Sequence, residues 1–200
     1  MEKFTQLTGV AAPLPMINID TDKIFPAVYL KTIKRTGLAK WLFQEIRFRP
    51  DGSENPDFVL NKPAYRNAKV LVAGDNFGCG SSREHAAWAL TGFGFRAIIS
   101  TSFADIFTNN ALKNGLLPVV VGTQKHKELA ALLRRAPDSE VMIDLARQTL
   151  VLPDGKSTSF PIDGFSKTCL LDGIDELGYI LSFEREIAEY EATHPAQRTV

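Results

Sequence analysis

The residues best suited to do chemistry stand in one stretch, Gly74-Asp-Asn-Phe-Gly-Cys-Gly-Ser-Ser-Arg-Glu-His85. An apolar run, Lys69-Val-Leu-Val-Ala73, precedes it and a helical pattern follows, so it spans the junction from a strand end to a helix start. Glycines let backbone N–H groups approach a bound group closely, and a helix start favours negative charge. Ser81 and Ser82 add two hydroxyls and Arg83 adds a guanidinium. That set suits an anion, a carboxylate in particular, because the planar guanidinium matches two oxygens at once. Two phosphate-binding loops are excluded at specific positions. No Gly-Lys-Ser/Thr ending is present, and Arg83 stands where the third glycine of a dinucleotide fingerprint belongs.

The same residues have a structural reading. Ser81-Ser-Arg-Glu84 is a capping box, with Ser81 as N-cap and Glu84 reaching back from the third helical position. The two roles are compatible, since a cap hydroxyl lies where an anion would bind. Cys79 reads as a small residue between two glycines in preference to a redox thiol, with no histidine or cysteine partner evident nearby. His85 falls inside the helix and reads as a packed side chain. The second cysteine, Cys169, is far away, and no C-x-x-C pair exists, so two free thiols are expected. His85, His126 and His194 are scattered without a second ligand at metal spacing. The chain is expected to hold no metal or iron–sulfur cluster of its own.

The loop must be carried by the elements around it. The run 69–73 reads as a buried strand, and a helix is expected from about Ser82 to Leu90, stopped by Gly92 and Gly94. A second strand at 96–100, a helix from Phe103 to Lys113 and a third strand at 116–121 complete a βαβαβ unit. Pro118 puts that third strand at an edge or at its own first residues. Such alternation implies parallel pairing with right-handed crossovers. A helix at 124–135 and strands at 141–144, 149–152 and 157–162 follow, with Pro153-Asp-Gly155 as a turn. Residues 174–191 are helix-like, and 4–12 read as a strand. Residues 17–30 carry turn chemistry, and 49–63 read as a loop or flap. The fold class is α/β with an antiparallel portion, in one domain with a helical C-terminal tail.

Composition limits the partners. Apolar residues make up 44% of the 200, enough for a substantial core. Twenty-three basic side chains against 23 acidic ones leave no basic field for nucleic acid. The cluster Lys31, Lys34 and Arg35 reads as a solvated face. No apolar run reaches the roughly 18 to 20 residues a membrane span needs. With no secretory pattern at the start, a cytoplasmic location is expected.

These residues resemble a family. Asp75 to Ala86 resembles the swivel-domain signature of the aconitase superfamily, and Thr21-Asp-Lys-Ile24 with Pro26 resembles its upstream Thr-Asp-x-Ile element. Arg96-Ala-Ile-Ile99, Ser102-Phe-Ala-Asp-Ile106, Asn109-Asn110 and Asn114-Gly-Leu-Leu-Pro118 continue the likeness, and the length is similar to the free-standing small subunits of isopropylmalate dehydratases. The resemblance implies a swivelling β/β/α domain of the aconitase C-terminal type that closes over a larger partner carrying a [4Fe-4S] cluster. It implies a heterodimer or heterotetramer that isomerises 2-isopropylmalate to 3-isopropylmalate through isopropylmaleate in leucine biosynthesis. Related hydro-lyases acting on homoaconitate, citraconate or dimethylmalate stand as the alternative. By the same resemblance Ser81 is the general base, working as an alkoxide. Ser82 and Arg83 hold a substrate carboxylate, and Asp22 orients the site. Tyr29-Leu-Lys-Thr32 resembles the specificity loop, so Leu30 is expected to meet the isopropyl group, with Lys31 and Thr32 beside it. The aconitase arginine that follows the Asp22 element has no clean counterpart. Counting on reaches Lys34, and Lys31 and Arg35 stand as candidates for a residual carboxylate contact.

Overall fold

The computed structural model describes residues 1–80 and 83–194. Seven strands form one mixed sheet in the order β4–β3–β2–β1–β5–β6–β7. They are β1 (Gln6–Leu14), β2 (Val70–Ala73), β3 (Ala97–Ser100), β4 (Leu117–Val120), β5 (Glu140–Asp144), β6 (Thr149–Val151) and β7 (Ser157–Ser159). Strands β1 to β4 run parallel, whereas β1–β5, β5–β6 and β6–β7 are antiparallel. The change of sense happens within β1. Gln6 to Val10 lie opposite Asp144 to Glu140, and Ala11 to Leu14 lie opposite Val70 to Ala73.

The inner parallel strands β2 (VLVA) and β3 (AIIS) are buried at every position because both faces are covered. Val70 and Val72 of β2, with Ala97 and Ile99 of β3, face a layer containing α5 (Thr123–Arg135) through Leu129 and Leu133. Leu71, Ala73 and Ile98 face the other layer, built from α1 (Thr21–Ile24), α3 (Glu84–Phe93), α4 (Asp105–Lys113) and the irregular segment between β1 and β2, which includes the one-turn helix α2 (Gln44–Arg47). Phe25, Phe43, Phe77, Phe95 and Phe107 fill that second layer. Pro118 does sit in an edge strand, β4, where its missing N–H breaks no inner ladder.

Several expectations need correction. Helix α3 begins at Glu84 and runs through Gly92, ending only where Gly94 adopts φ 117°. Residues 17–30 contain a full helical turn, α1, and a 3₁₀ turn at Ala27–Tyr29. Residues 49–63 are pinned, not a free flap. Buried Asn61 donates to the carbonyls of Arg47 (2.6 Å) and Asn55 (2.8 Å) and accepts from the Arg47 guanidinium at 3.1 Å. A helix unforeseen in the sequence, α6 (Gly164–Asp172), starts where Asp163 accepts from the Ser166 amide at 2.9 Å. The expected helix 174–191 is two, α7 (Glu176–Leu181) and α8 (Glu184–Thr193), parted at Ser182-Phe183. No helix among the described residues is long and apolar enough to cross a membrane.

Candidate active site

The loop that leaves β2 is threaded between two walls. Gly74 donates to the carbonyls of Leu14 (3.2 Å) and Met16 (3.1 Å), so closely that a Cβ there would lie 2.4 Å from the Met16 oxygen. From the opposite layer, His126 holds the Ala73 carbonyl at 2.6 Å through Nε2. On one side, Gly78 donates to Ile19 (2.7 Å) and the Cys79 carbonyl accepts from Thr21 (2.9 Å). On the other, the Phe77 amide donates to the Ser102 carbonyl at 3.2 Å, and its ring packs edge-on to Phe107 at 5.2 Å. The Asp75 carboxylate accepts from the hydroxyls of Ser102 (2.6 Å) and Thr101 (2.7 Å), and Ser102 Oγ accepts in turn from the Asn76 amide at 2.9 Å. Those two hydroxyls, Ser102 foremost, hold Asp75 below the usual carboxylate range. The walls come from residues 18–21 and 101–104, the segments that follow β1 and β3, so parallel pairing of β1, β2 and β3 assembles the site at their carboxyl ends.

Helix α1 presents its own anionic residue to this loop. Asp20 caps it, accepting from the Lys23 amide at 2.7 Å, and that turn places exposed Asp22 against Arg83 in an ion pair. Arg83 is the residue immediately before α3 and has extended backbone. The guanidinium thus stands at the mouth of a helix N-terminus, with one carboxylate already on it.

The first turn of α3 is fixed by distant side chains, and the Ser81 half of the expected capping box lies outside the described residues. Glu84 is the first helical residue, not the third. Its carboxylate accepts from Asn114 Nδ2 (2.9 Å) and Trp88 Nε1 (3.3 Å), and Trp88 also donates to Asn114 Oδ1 at 2.9 Å. His85 is packed as expected. Its ring stacks on Phe25 at 5.6 Å, and Nε2 lies 2.9 Å from the Thr32 carbonyl, to which it must donate. Both cysteines are free thiols, Cys79 half-buried and Cys169 buried.

A family model described as the Aconitase C-terminal domain matches residues 1–124, and one described as LeuD_N matches residues 127–164. The 3-isopropylmalate dehydratase small subunit of Allorhizobium ampelinum is 59% identical over 99% of this chain and 98% of its own length. That of Agrobacterium fabrum is 58% identical with the same coverage. The chain belongs to the 3-isopropylmalate dehydratase small subunits. A solved 3-isopropylmalate dehydratase chain from Methanocaldococcus jannaschii superposes with a TM-score of 0.66 at 28% identity, covering 94% of this chain and 99% of that one. The aconitase-type α/β architecture expected from the sequence is therefore the one this dehydratase small-subunit family shares.

In this member of the dehydratase small-subunit family the expected site residues fall into three groups. Ser81 and Ser82 lie outside the described residues. Arg83 and Asp22 are brought together across 61 positions of sequence. Leu30, Lys31 and Thr32 follow the 3₁₀ turn 27–29 on the α3 side of the site, held there by the Thr32 carbonyl. Leu30 is half-buried against the core, Lys31 is exposed, and the apolar side chains that project outward on this loop are Val28 and Ile33. Arg35 lies over the Trp88 ring at 5.0 Å and 3.9 Å from Glu84, beside the α3 N-terminus. Sequence reasoning missed the Asp75–Thr101–Ser102 clamp and the Glu84–Trp88–Asn114 triangle. The clamp had a signal, a hydroxyl pair directly after one strand and an acid directly after its neighbour.

Proposed function

We propose that this chain is the small subunit of a hydro-lyase that isomerises 2-isopropylmalate to 3-isopropylmalate through isopropylmaleate in leucine biosynthesis, a cytoplasmic enzyme active only as a complex with its large subunit. The observation that carries it is the Arg83–Asp22 pair at the start of α3. A substrate carboxylate arriving there meets a guanidinium, a helix N-terminus and a loop whose path is set by Gly74 and Gly78. Asp22 keeps Arg83 aimed at the loop until a substrate carboxylate shares it.

On this assignment Ser81 Oγ, as an alkoxide, takes the proton from the carbon next to the carboxylate, and Arg83 stabilises both that alkoxide and the charge passing to the substrate. Serine is a weak base in water, so Arg83 and the helix start must supply the difference in a closed site. One such donor is worth about 3 to 4 kcal/mol of transition-state stabilisation. Leu30 faces the substrate's isopropyl group, with Lys31 and Thr32 at its edge, and Ser82 joins Arg83 on the carboxylate. The whole chain acts as one swivelling domain with a helical tail. Two thiols do not make a ligand set for an iron–sulfur cluster, and the described residues bring no three His, Cys, Asp or Glu side chains into a metal-holding group. The [4Fe-4S] cluster is assigned to the large subunit, in a heterodimer or heterotetramer, where it would supply a Lewis acid for the departing hydroxyl.

The test is reconstitution. The purified chain should contain no iron by elemental assay and no activity, and should restore hydration of isopropylmaleate when added to the large subunit. Faster turnover of citraconate than of isopropylmaleate by that complex would reassign the substrate. No turnover of either would refute the function.

A further inference from the structure

Helices α7 and α8 have no buried residue between them, yet they carry Leu177, Ile180, Leu181, Phe183, Ile187 and Tyr190 in exposed positions. Leu177 and Tyr190 are each 63% exposed. Phe183, Ile187 and Tyr190 recur at helical spacing on one face of α8. An aromatic ladder from Phe165 to Tyr179 (4.8 Å) to Phe183 (5.2 Å) makes the face continuous with α6. Helices of six and ten residues are marginal in water on propensity alone. Exposed apolar patches of this kind mark interaction sites.

Two observations say what covers it. A groove lined by Arg35, Glu84, Lys113, Phe165, Glu176 and Leu177 joins this face directly to the first turn of α3, one residue from Arg83. Lys113 on α4 pairs with Glu176 on α7 at 3.1 Å along that same groove. The patch is therefore an extension of the active-site face. Its rim is also one-signed, since residues 175–193 hold six carboxylates and one guanidinium. A second copy meeting it symmetrically would set those carboxylates against each other.

Resting on the function proposed above, we infer that the α7–α8 face docks the large subunit, through an apolar groove with a basic rim. The chain thus holds its partner beside the site while leaving the loop at residues 74–80 uncovered by that contact.

The test uses the full chain and the intact large subunit. Ile180→Asp with Tyr190→Asp should raise the dissociation constant at least thirty-fold by calorimetry, leave kcat at saturating small subunit within two-fold, and leave the unfolding temperature unchanged. Glu186→Lys, at the rim, should slow association several-fold and flatten its dependence on salt. This variant keeps the proposal testable should the double variant misfold. Unchanged dissociation constants overturn the docking proposal, as would light scattering showing that the wild-type chain self-associates through these residues. An inactive but tightly bound wild-type complex would refute the function while leaving the docking surface standing.

Discussion

On the proposed function, Arg83 cannot be exchanged for another cation without loss. Lysine keeps the charge but not the fork that spans Asp22 and a substrate carboxylate together. Arg83→Lys should lower kcat/KM by about a hundred-fold, read from steady-state rates of the reconstituted enzyme. Ser81→Ala should lower kcat on the order of a thousand-fold or more. Its partner affinity should stay unchanged, because losing a helix-cap hydroxyl costs only about 1 kcal/mol. A mutant complex retaining a tenth of the wild-type rate would demote Ser81 from base to bystander. Leu30→Arg should reduce kcat/KM for 3-isopropylmalate and raise the relative rate of a substrate with a carboxylate in place of the isopropyl group. Burying that group against leucine is worth about 2 kcal/mol, whereas an unpaired buried carboxylate costs several. The ratio of the two specificity constants is the measurement. No change in it would move the contact to the outward-facing Val28 or Ile33.

Among the elements, the loop and its walls act as a unit. Gly78 has φ +77°, and an added Cβ would stand 2.2 Å from the Phe107 ring. Gly78→Ala should cost about 2 to 3 kcal/mol, lowering the unfolding temperature by roughly 5 to 10 °C in calorimetry. The clamp on Asp75 has a definite pH dependence. Hydroxyl donors depress its folded pKa, so the stabilisation is present above the unfolded value of about 3.9 and lost as pH falls through the folded value. Exchange protection of the Asn76 amide should therefore hold at pH 5 and vanish in strong acid, and Asp75→Asn should weaken it at every pH. The β2–α3–β3–α4–β4 run was legible in the sequence because each strand is a short, mostly apolar run set off by glycine, asparagine or hydroxyl residues. Helix α6 was not, because its nine residues bury only Cys169 and Leu170, too few to show a period. The break between α7 and α8 falls at Ser182-Phe183, where neither glycine nor proline announces it. The contact of Glu84 was not legible either, because its partner, Asn114, is thirty residues away and no local pattern points to it.

At the scale of the whole molecule, the sheet has a parallel half that positions the candidate site and an antiparallel half that extends it. The strand-to-helix loop after β2 was legible from its glycines and flanking patterns, and its anion-binding role belongs to the proposed function. The pairing of Asp22 with Arg83 was not derivable from spacing, because it depends on β1 and β2 lying side by side. That shared strand has a consequence in time as well as space. Strand β1 leaves the ribosome before both strands that flank it, so Ala11 waits for Val70 and Gln6 waits for Asp144. At about 5 to 20 residues per second, the central strand stays unflanked on its second side for many seconds of synthesis. Nascent chains stalled with residue 130 just outside the tunnel should therefore be cut readily by protease near residues 4–12, and chains stalled with residue 180 outside should resist. A chaperone that shields extended apolar segments would be needed most in the interval between.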